Sequence, residues 1–230
     1  MTLSGKVLAV TGSNGVLGQA VAHTLGGYGA KLALLDHAHA PTAAPPEGAL
    51  HYGGVDLTQE DAARSVLEKI VNEAGRLDGL INIAGGFRWE KLETGTLDTW
   101  DFMYRLNLRT AVVSCKAALP YLLRAGSGRI VNVGAMGAIR AATGMGAYAA
   151  SKSGVARLTE ALSEELKDRR ITVNAVLPSI LDTPSNRLDM PKADFSRWVS
   201  AAEVAEVIAF LVSDAARAVT GALIPVAGRV

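Results

Sequence analysis

The stretch VLAVTGSNGVLGQAVA, residues 7–22, leads from a short apolar segment through a glycine-rich turn into a helical pattern. Its three glycines are spaced G-x-x-G-x-x-G. The first permits a tight turn, the second lets the backbone approach a pyrophosphate, and the third lets the helix pack close to the strand. Phosphates would then face the free N–H groups at the helix N-terminus. The predicted dinucleotide contacts in this turn are Gly12, Ser13, Asn14, Gly15, Val16, Leu17 and Gly18. A turn without a ligand is the alternative.

Short β-branched segments alternate with longer helical patterns along the whole chain. Segments such as VLAV, KLALL and RIVNV are apolar on both faces, which is typical of a parallel sheet covered on both sides. The alternation predicts an α/β fold, a Rossmann-like doubly wound parallel sheet of about seven strands with helices on both faces. The predicted strands are Lys6–Val10, Lys31–Leu35, Leu50–Val55, Leu77–Ile83, Arg129–Val133, Ile171–Leu177 and Ala222–Val226. The predicted helices are Val16–Gly27, Gln59–Glu73, Leu97–Arg124, Gly146–Arg169 and Ala201–Ser213.

One connection departs from this alternation. Residues 37–49, HAHAPTAAPPEGA, contain three prolines, so an irregular crossover is predicted there instead of a helix. No linker, repeat or low-complexity block divides the chain, which predicts a single domain over residues 1–230.

Composition argues against several classes of function. The 230 residues carry a net charge of +1, which gives no electrostatic case for binding nucleic acid or an anionic membrane. The four histidines lack cysteine or carboxylate neighbours at metal-ligand spacing, so no metal site is predicted. Cys115 is the only cysteine, and neither a signal peptide nor a membrane span is recognisable. We therefore expect a soluble, cytoplasmic protein.

Polar side chains follow the second and third predicted strands. Asp36 ends the second strand, where a carboxylate accepts hydrogen bonds from a ribose diol and repels a 2′-phosphate. No Lys or Arg follows it, so the cofactor is predicted to be NAD(H) rather than NADP(H), and a solvated loop aspartate is the alternative. Asp56 is expected to bind the adenine amine and Leu57 to pack on its ring. The predicted contacts after the fourth strand are Asn82, Ala84 and Gly85.

Tyr148 and Lys152 lie in GAYAASKSGVARL, residues 146–158, which has a helical pattern. Residues four apart share a helix face, so the phenol and the ammonium are expected one above the other. An isolated Tyr–Lys pair at this spacing usually occurs by chance and has no catalytic role, so its interpretation depends on the other motifs.

Six motifs together resemble the short-chain dehydrogenase/reductase family over nearly the whole chain. They are TGSNGVLG at 11, DL at 56, NIAG at 82, NL at 107, YAASK at 148 and NAVLPSILDTP at 174. The resemblance implies an oxidoreductase that moves hydride between NAD(H) and a small-molecule C=O or C=N substrate. It also implies a homodimer or homotetramer in which helices 97–124 and 146–169 pair between subunits.

The resemblance also assigns roles to single residues. Tyr148 is implied as the general acid/base, Lys152 as its partner and a ligand of the ribose hydroxyls, and Asn107 as part of a proton relay. We expect the ammonium and the positive nicotinamide ring to lower the pKa of Tyr148 from the ordinary value of about 10. The implied nicotinamide contacts are Pro178, Ile180 and Thr183.

The serine that this family usually has 13 residues before the tyrosine is replaced by Ala135. Because a methyl group cannot hydrogen-bond a carbonyl, three explanations stay open. Thr143 or a water takes over, the substrate does not need the serine, or the chain binds NAD without efficient turnover. Residues 175–198 resemble dihydropteridine reductases, a branch that also has alanine here and reduces a quinonoid dihydropterin. Pterin reduction and a non-catalytic NAD-binding protein are therefore alternatives.

Residues 185–199 are predicted to form a short lid over the substrate. The predicted substrate contacts are Ala135, Met190 and Trp198. Aromatic residues expected on the opposite wall are Phe87 and Trp89, and core or surface packing is an equal alternative for each of these apolar side chains. Three basic side chains could meet an acidic substrate or remain solvated, namely Arg187, Lys192 and Arg197.

Overall fold

Seven strands form the centre of the fold. They are β1 Val7–Thr11, β2 Lys31–Leu35, β3 Leu50–Tyr52, β4 Gly79–Asn82, β5 Gly128–Val133, β6 Ile171–Pro178 and β7 Leu223–Val226. The computed structural model describes all 230 residues, and it joins these strands into one sheet of order β3-β2-β1-β4-β5-β6-β7. Every neighbouring pair is parallel. The predicted doubly wound parallel sheet is confirmed.

Helices cover both faces of this sheet. They are α1 Val16–Gly27, α2 Glu60–Ala74, α3 Leu97–Met103, α4 Thr110–Ala125, α5 Gly146–Leu166, α6 Pro184–Asp189 and α7 Ala201–Val212. One buried layer includes α1 and α7, and the other includes α2, α4 and part of α5. Along β1, Leu8 and Val10 enter the first layer while Val7 and Ala9 enter the second. The central strands β1, β2, β4, β5 and β6 are apolar on both faces because each of them supplies residues to both buried layers.

Most element ends differ from the predicted ones by a few residues. β3 stops at Tyr52 instead of Val55 because two glycines follow, and Gly54 has a left-handed φ of 73°. β4 begins at Gly79 instead of Leu77, since the carboxylate of the preceding Asp78 binds the Val7 N–H at 2.8 Å. Except at β3, the strand ends that face the predicted ligand lie within one residue of the predicted positions.

The predicted helix 97–124 is continuous but not uniform. Between α3 and α4, residues Tyr104–Arg109 form a π-helical segment that contains Asn107. Such segments are rare and occur frequently at functional sites. The sequence pattern does not distinguish this segment from ordinary helix.

The crossover between β2 and β3 contains no helix, as its prolines predict. It lies against the glycine-rich turn, because Asn14 Nδ2 donates to the Ala40 carbonyl at 2.9 Å and Gln19 Nε2 donates to Thr42 Oγ1 at 2.8 Å. The crossover therefore covers the β2 side of the turn.

The segment after β6 contains α6 and a 3₁₀ turn at Phe195–Arg197. A parallel bridge between Leu181 and Val199 closes its base. This segment, residues 181–199, is called the lid segment below. None of the helices combines the length and the apolar character that a membrane span requires.

Candidate active site

The strand order reverses between β1 and β4, and the glycine-rich turn follows β1 at this point. Gly12 has a left-handed φ of 66°, and a β-carbon there would stand 2.7 Å from the Ala84 nitrogen. Gly18 lies so close to the turn that a β-carbon would overlap the Gly12 carbonyl oxygen. Gly18 therefore allows α1 to pack on the turn itself, whereas the sequence predicted packing on the strand.

Gly15 stands at the N-terminal cap of α1, and no side chain caps the first turn of this helix. A β-carbon at Gly15 would meet nothing closer than the Gly12 carbonyl oxygen at 3.5 Å, so the space beside it is open. The N–H groups there are available to an anionic group such as a pyrophosphate. Among the other predicted contacts Val16 is exposed, while Ser13 and Leu17 are buried.

Both oxygens of Asp36 accept backbone hydrogen bonds at the end of β2. Oδ2 accepts from Asn14 N at 2.9 Å and Oδ1 from Ala38 N at 3.0 Å. The carboxylate is thereby fixed beside the glycine-rich turn, and each oxygen keeps a lone pair for a ribose hydroxyl. The glycine cradle and this carboxylate fit the adenosine diphosphate half of a dinucleotide.

Asp56 lies at the end of the connection from β3. Its Oδ1 accepts hydrogen bonds from Thr58 N at 2.9 Å and Thr58 Oγ1 at 2.7 Å, and the bond from the hydroxyl is the largest cause that lowers the pKa of Asp56. Its Oδ2 makes no such bond and suits the adenine amine. Leu57, however, is only 5% exposed and packs in the core, which leaves little of its side chain for the predicted adenine contact.

The Asn82 side chain points to the interior instead of a ligand. Its Nδ2 donates to Asn132 Oδ1 at 2.9 Å and to Cys115 Sγ at 3.2 Å. Asn82 and Asn132 are register partners in β4 and β5, which accounts for this pairing. Asn82 Oδ1 is buried and makes no hydrogen bond within the protein, and the cofactor contact of this residue stays a prediction. Burial raises the pKa of the Cys115 thiol to about 12, as expected for a packed structural cysteine.

Asn107 is fully hydrogen-bonded within the protein. Its Oδ1 accepts from Gly86 N at 2.9 Å, and its Nδ2 donates to Gly86 O at 3.1 Å and to Ser151 Oγ at 3.0 Å. A β-carbon at Gly85 would stand 2.6 Å from Asn107 Oδ1 and 3.3 Å from Lys152 Nζ. The structure thus brings Gly85, Asn107 and Lys152 together, and glycine lets the chain pass over the asparagine.

Tyr148 and Lys152 lie one turn apart on α5. Lys152 is 5% exposed and its Nζ donates to the Val133 carbonyl at 2.8 Å, whereas the Tyr148 hydroxyl makes no hydrogen bond within the protein. Burial lowers the pKa of Lys152 to about 8 and raises the pKa of Tyr148 to about 12. The sequence predicted a lowered pKa for Tyr148, and the direction differs because the phenol is desolvated in the protein alone.

Ala135 is buried directly after β5, where the family usually has serine. Two hydroxyls of α5 are engaged elsewhere, since Ser151 Oγ donates to the Tyr148 carbonyl at 2.7 Å and Ser153 Oγ to the Ala138 carbonyl at 2.9 Å. Thr143, the predicted substitute, is exposed and makes no hydrogen bond through its hydroxyl. A role for Thr143 stays a prediction.

Thr183 caps α6, because its Oγ1 accepts a hydrogen bond from Asn186 N at 3.1 Å. Its hydroxyl proton remains free to donate to a carboxamide. Pro178 ends β6, and the Ile180 carbonyl accepts from Val199 N at 3.2 Å. The nicotinamide contacts of these three residues stay predictions.

Trp198 anchors the lid segment and presents little surface to a substrate. It is 8% exposed, and its ring lies 4.7 Å from that of Phe195. The packing alternative accounts for most of the indole ring, and the substrate contact of Trp198 stays a prediction. Met190 is half-buried, while Phe87 and Trp89 are each 56% exposed.

Two of the three basic side chains near the lid segment are already bound. Arg187 forms a two-point ion pair with Asp182 at 2.6 and 2.8 Å, and Arg197 donates to the Arg229 carbonyl at 2.9 and 2.7 Å. Lys192 is exposed. The predicted contact with an acidic substrate is therefore not supported for the two arginines.

Sequence reasoning missed Ser151 and Gly86, which hold Asn107. Ser151 stands in the YAASK motif three residues after Tyr148, and this helical spacing was the signal available for it. Gly86 had no comparable signal, because its contact crosses from a loop to a helix. No group of three or more His, Cys, Asp or Glu side chains is placed to hold a metal ion.

Residues 6–193 match the sequence profile of the family described as short chain dehydrogenase. The chain is 34% identical to the 3-oxoacyl-[acyl-carrier-protein] reductase FabG of Pseudomonas aeruginosa, over 99% of this chain and 98% of that protein. It is 31% identical to the D-threitol dehydrogenase of Mycolicibacterium smegmatis, over 96% and 90% of the two chains. The crystal structure of carveol dehydrogenase from Mycobacterium avium in complex with NAD is similar, with a TM-score of 0.87, 28% identity and coverage of 98% and 97%. This chain belongs to the short-chain dehydrogenase/reductase family of oxidoreductases.

Proposed function

We propose that this oxidoreductase transfers hydride between NAD(H) and a small C=O or C=N substrate, with Tyr148 as general acid/base and Lys152 as its partner. The observation that carries the proposal is the arrangement on α5. A phenol without a protein hydrogen bond lies one turn from a buried ammonium, which itself lies beside Gly85 and Asn107. The NAD complex of the similar carveol dehydrogenase supports the cofactor class.

The residues that would hold the dinucleotide are distributed along the carboxyl ends of the strands. The N–H groups beside Gly15 suit the pyrophosphate, Asp36 the adenosine ribose, and Thr183 the carboxamide. When bound, the dinucleotide supplies or accepts the hydride. Asp36 supports NAD(H) over NADP(H), because a fixed carboxylate repels a 2′-phosphate. The proposal also includes a single NAD-binding domain over residues 1–230 and a cytoplasmic location.

Proton transfer falls to Tyr148. With a pKa raised to about 12, the phenol holds its proton at neutral pH and acts as a donor in the reductive direction. The proton would pass from the hydroxyl to the substrate oxygen or nitrogen as hydride arrives at the adjacent carbon. Lys152 would bind ribose hydroxyls and place a positive charge near the phenolate that remains, which lowers the cost of this transfer.

Ala135 bears on the class of substrate. Without the serine hydroxyl, a substrate oxygen lacks one hydrogen-bond donor beside Tyr148, which suits a conjugated acceptor that needs little polarisation. This observation favours a second candidate, a quinonoid dihydropterin. The names of the relatives add 3-oxoacyl thioesters and sugar alcohols as classes to test.

A homodimer or homotetramer is also part of the proposal. The family resemblance implies a subunit contact along α4 and α5, and the exposed apolar side chains of Val112 and Leu123 on α4 support it. Light scattering of the purified protein measures the oligomeric state directly.

The function is tested by following NADH consumption with a panel of acceptors. The panel contains a simple ketone, a 3-oxoacyl thioester, a quinone and a quinonoid dihydropterin, with a sugar alcohol and NAD⁺ for the reverse direction. Turnover of at least one substrate supports the proposal. Tight NADH binding without turnover of any of them would favour a non-catalytic NAD-binding protein instead.

A further inference from the structure

The Phe87 ring packs edge-on against the ring of Tyr148, with the centroids 4.9 Å apart and the planes at 82°. Phe87 is 56% exposed, yet the loop that carries it is held on both sides. Before it, Asn107 binds both backbone groups of Gly86. After it, Trp89 Nε1 donates to the Thr143 carbonyl at 2.9 Å and Glu90 N to the Gly144 carbonyl at 2.8 Å. An exposed ring is thus presented on a fixed backbone.

The contacts around Tyr148 form a closed series of residues that begins and ends at the tyrosine. Ser151 Oγ donates to the Tyr148 carbonyl at 2.7 Å and accepts from Asn107 Nδ2 at 3.0 Å. Asn107 holds Gly86, and the neighbouring Phe87 returns to the tyrosine ring. This series of contacts therefore restrains both the backbone and the ring of Tyr148.

Besides the Phe87 edge, the Tyr148 ring lies against glycine backbone. A β-carbon at Gly137 would stand 3.4 Å from Tyr148 Cε1, so this glycine offers backbone but no side chain. The residue at position 135 is alanine, and the Tyr148 hydroxyl has no hydrogen bond to protein. Packing, and not hydrogen bonding, sets the direction of the phenol. Edge-to-face aromatic pairs prefer this geometry and resist rotation away from it.

We infer that Phe87 is a positioning residue for Tyr148 and supplies the orientation that a hydroxyl at position 135 would otherwise fix, with Ser151 and Asn107 holding the loop of Phe87 in place. This inference rests on the proposed function for its catalytic consequence. It goes beyond that function by stating how the enzyme tolerates Ala135.

The kinetic test compares Phe87→Leu with Phe87→Tyr and with a matched control, Phe210→Leu, whose ring is 41% exposed on α7. We expect Phe87→Leu to lower kcat about tenfold with an unchanged KM for NADH. A misoriented Tyr148 slows proton transfer but does not change how the protein binds NADH. Phe87→Tyr keeps the aromatic edge and should lose less of kcat than Phe87→Leu, and Phe210→Leu keeps the wild-type kcat. Equal kcat in Phe87→Leu and wild type would overturn the inference.

A double-mutant cycle with Ala135→Ser tests the exchange of roles. If the hydroxyl introduced by Ala135→Ser and the Phe87 ring both orient Tyr148, Phe87→Leu should lower kcat by a smaller factor in the Ala135→Ser background than in wild type. The same loss in both backgrounds contradicts the inference.

A measurement without substrate separates this inference from the proposed function. In ¹³C-labelled protein, the three-bond couplings of Tyr148, assigned with Tyr148→Phe, report the populations of its χ1 rotamers, which set where the hydroxyl lies. We expect more than one χ1 rotamer of Tyr148 in Phe87→Leu and a single rotamer in wild type and Phe210→Leu. A single rotamer in Phe87→Leu would overturn the inference even if the enzyme turns over, and a mixture of rotamers would support positioning even if no acceptor is found.

Discussion

Lys152 Nζ donates a hydrogen bond to the Val133 carbonyl oxygen at 2.8 Å, which ties helix α5 to the end of strand β5. Val133 is the last residue of that strand, so the bond fixes the ammonium at the sheet edge where the dinucleotide is proposed to lie. One hydrogen bond to a neutral carbonyl compensates only part of the hydration that the buried ammonium loses. Burial accordingly lowers the pKa of Lys152 to about 8.

Replacement of Lys152 by methionine should stabilise the fold while it removes activity. The buried charge costs free energy that an apolar side chain of similar length avoids, so we expect the free energy of unfolding at pH 7 to rise by about 1–3 kcal/mol. Denaturant unfolding followed by circular dichroism measures it. A less stable Lys152→Met protein would show that the ammonium is better compensated than the structure indicates.

The difference in stability between Lys152→Met and wild type should depend on pH. Between about 8 and 10.5, folded Lys152 has lost its proton while the unfolded chain retains it, so the unfolded state binds more protons. The contribution of Lys152 to stability therefore rises with pH over this window. The excess stability of Lys152→Met should be largest below pH 8 and shrink toward pH 10. A difference that stays constant from pH 6 to pH 10 would contradict the lowered pKa of Lys152.

Asp36→Ala should weaken the preference for NADH. The substitution removes the carboxylate that accepts from Asn14 N and Ala38 N, along with its repulsion of a 2′-phosphate. We expect the ratio of kcat/KM with NADH to that with NADPH to fall about 10- to 100-fold. Asp56→Ala is the matched control. Asp56 is expected to contact the adenine, which NADH and NADPH share, so the protein should lose the same affinity for both cofactors. If the ratio is unchanged in Asp36→Ala, this carboxylate does not select the cofactor.

Ala135→Ser distinguishes the classes of acceptor. A hydroxyl at this position would add a hydrogen bond to a carbonyl oxygen in the transition state, so kcat with an unconjugated ketone should rise about tenfold. Little change is expected with a quinonoid dihydropterin, which is already polarised. Steady-state rates with both acceptors give the comparison. A gain with neither acceptor would show that Ala135 does not limit carbonyl reduction.

The sequence predicted the fold, and the proximity of several candidate site residues, because their signals are local. Two-sided apolar strands, the glycine spacing at Gly12 and Gly18, and the helical spacing of Tyr148 and Lys152 each depend on a few neighbouring residues. Small residues after the fourth strand were predicted to approach a ligand closely; the structure shows Gly85 close to Asn107 and Lys152, and its ligand contact stays a prediction.

Other features depend on packing in the folded protein, which the sequence does not show. Neither the packing of Trp198 against Phe195 nor the pairing of the Asn82 side chain with Asn132 inside the sheet has a local sequence signal. Burial in the protein alone raises the pKa of Tyr148, whereas the predicted lowering depends on the ammonium and a bound nicotinamide ring and stays a prediction. Desolvation is a property of the folded protein that residue spacing does not reveal.

The most direct test of the account is Tyr148→Phe, which removes one hydroxyl and keeps the ring against Phe87. The measurement pairs steady-state turnover of the best acceptor with NADH affinity from fluorescence titration. We predict that turnover falls about 10²- to 10⁴-fold while the dissociation constant of NADH stays within about twofold of wild type. Turnover equal to that of wild type would contradict the assignment of Tyr148 as the proton donor.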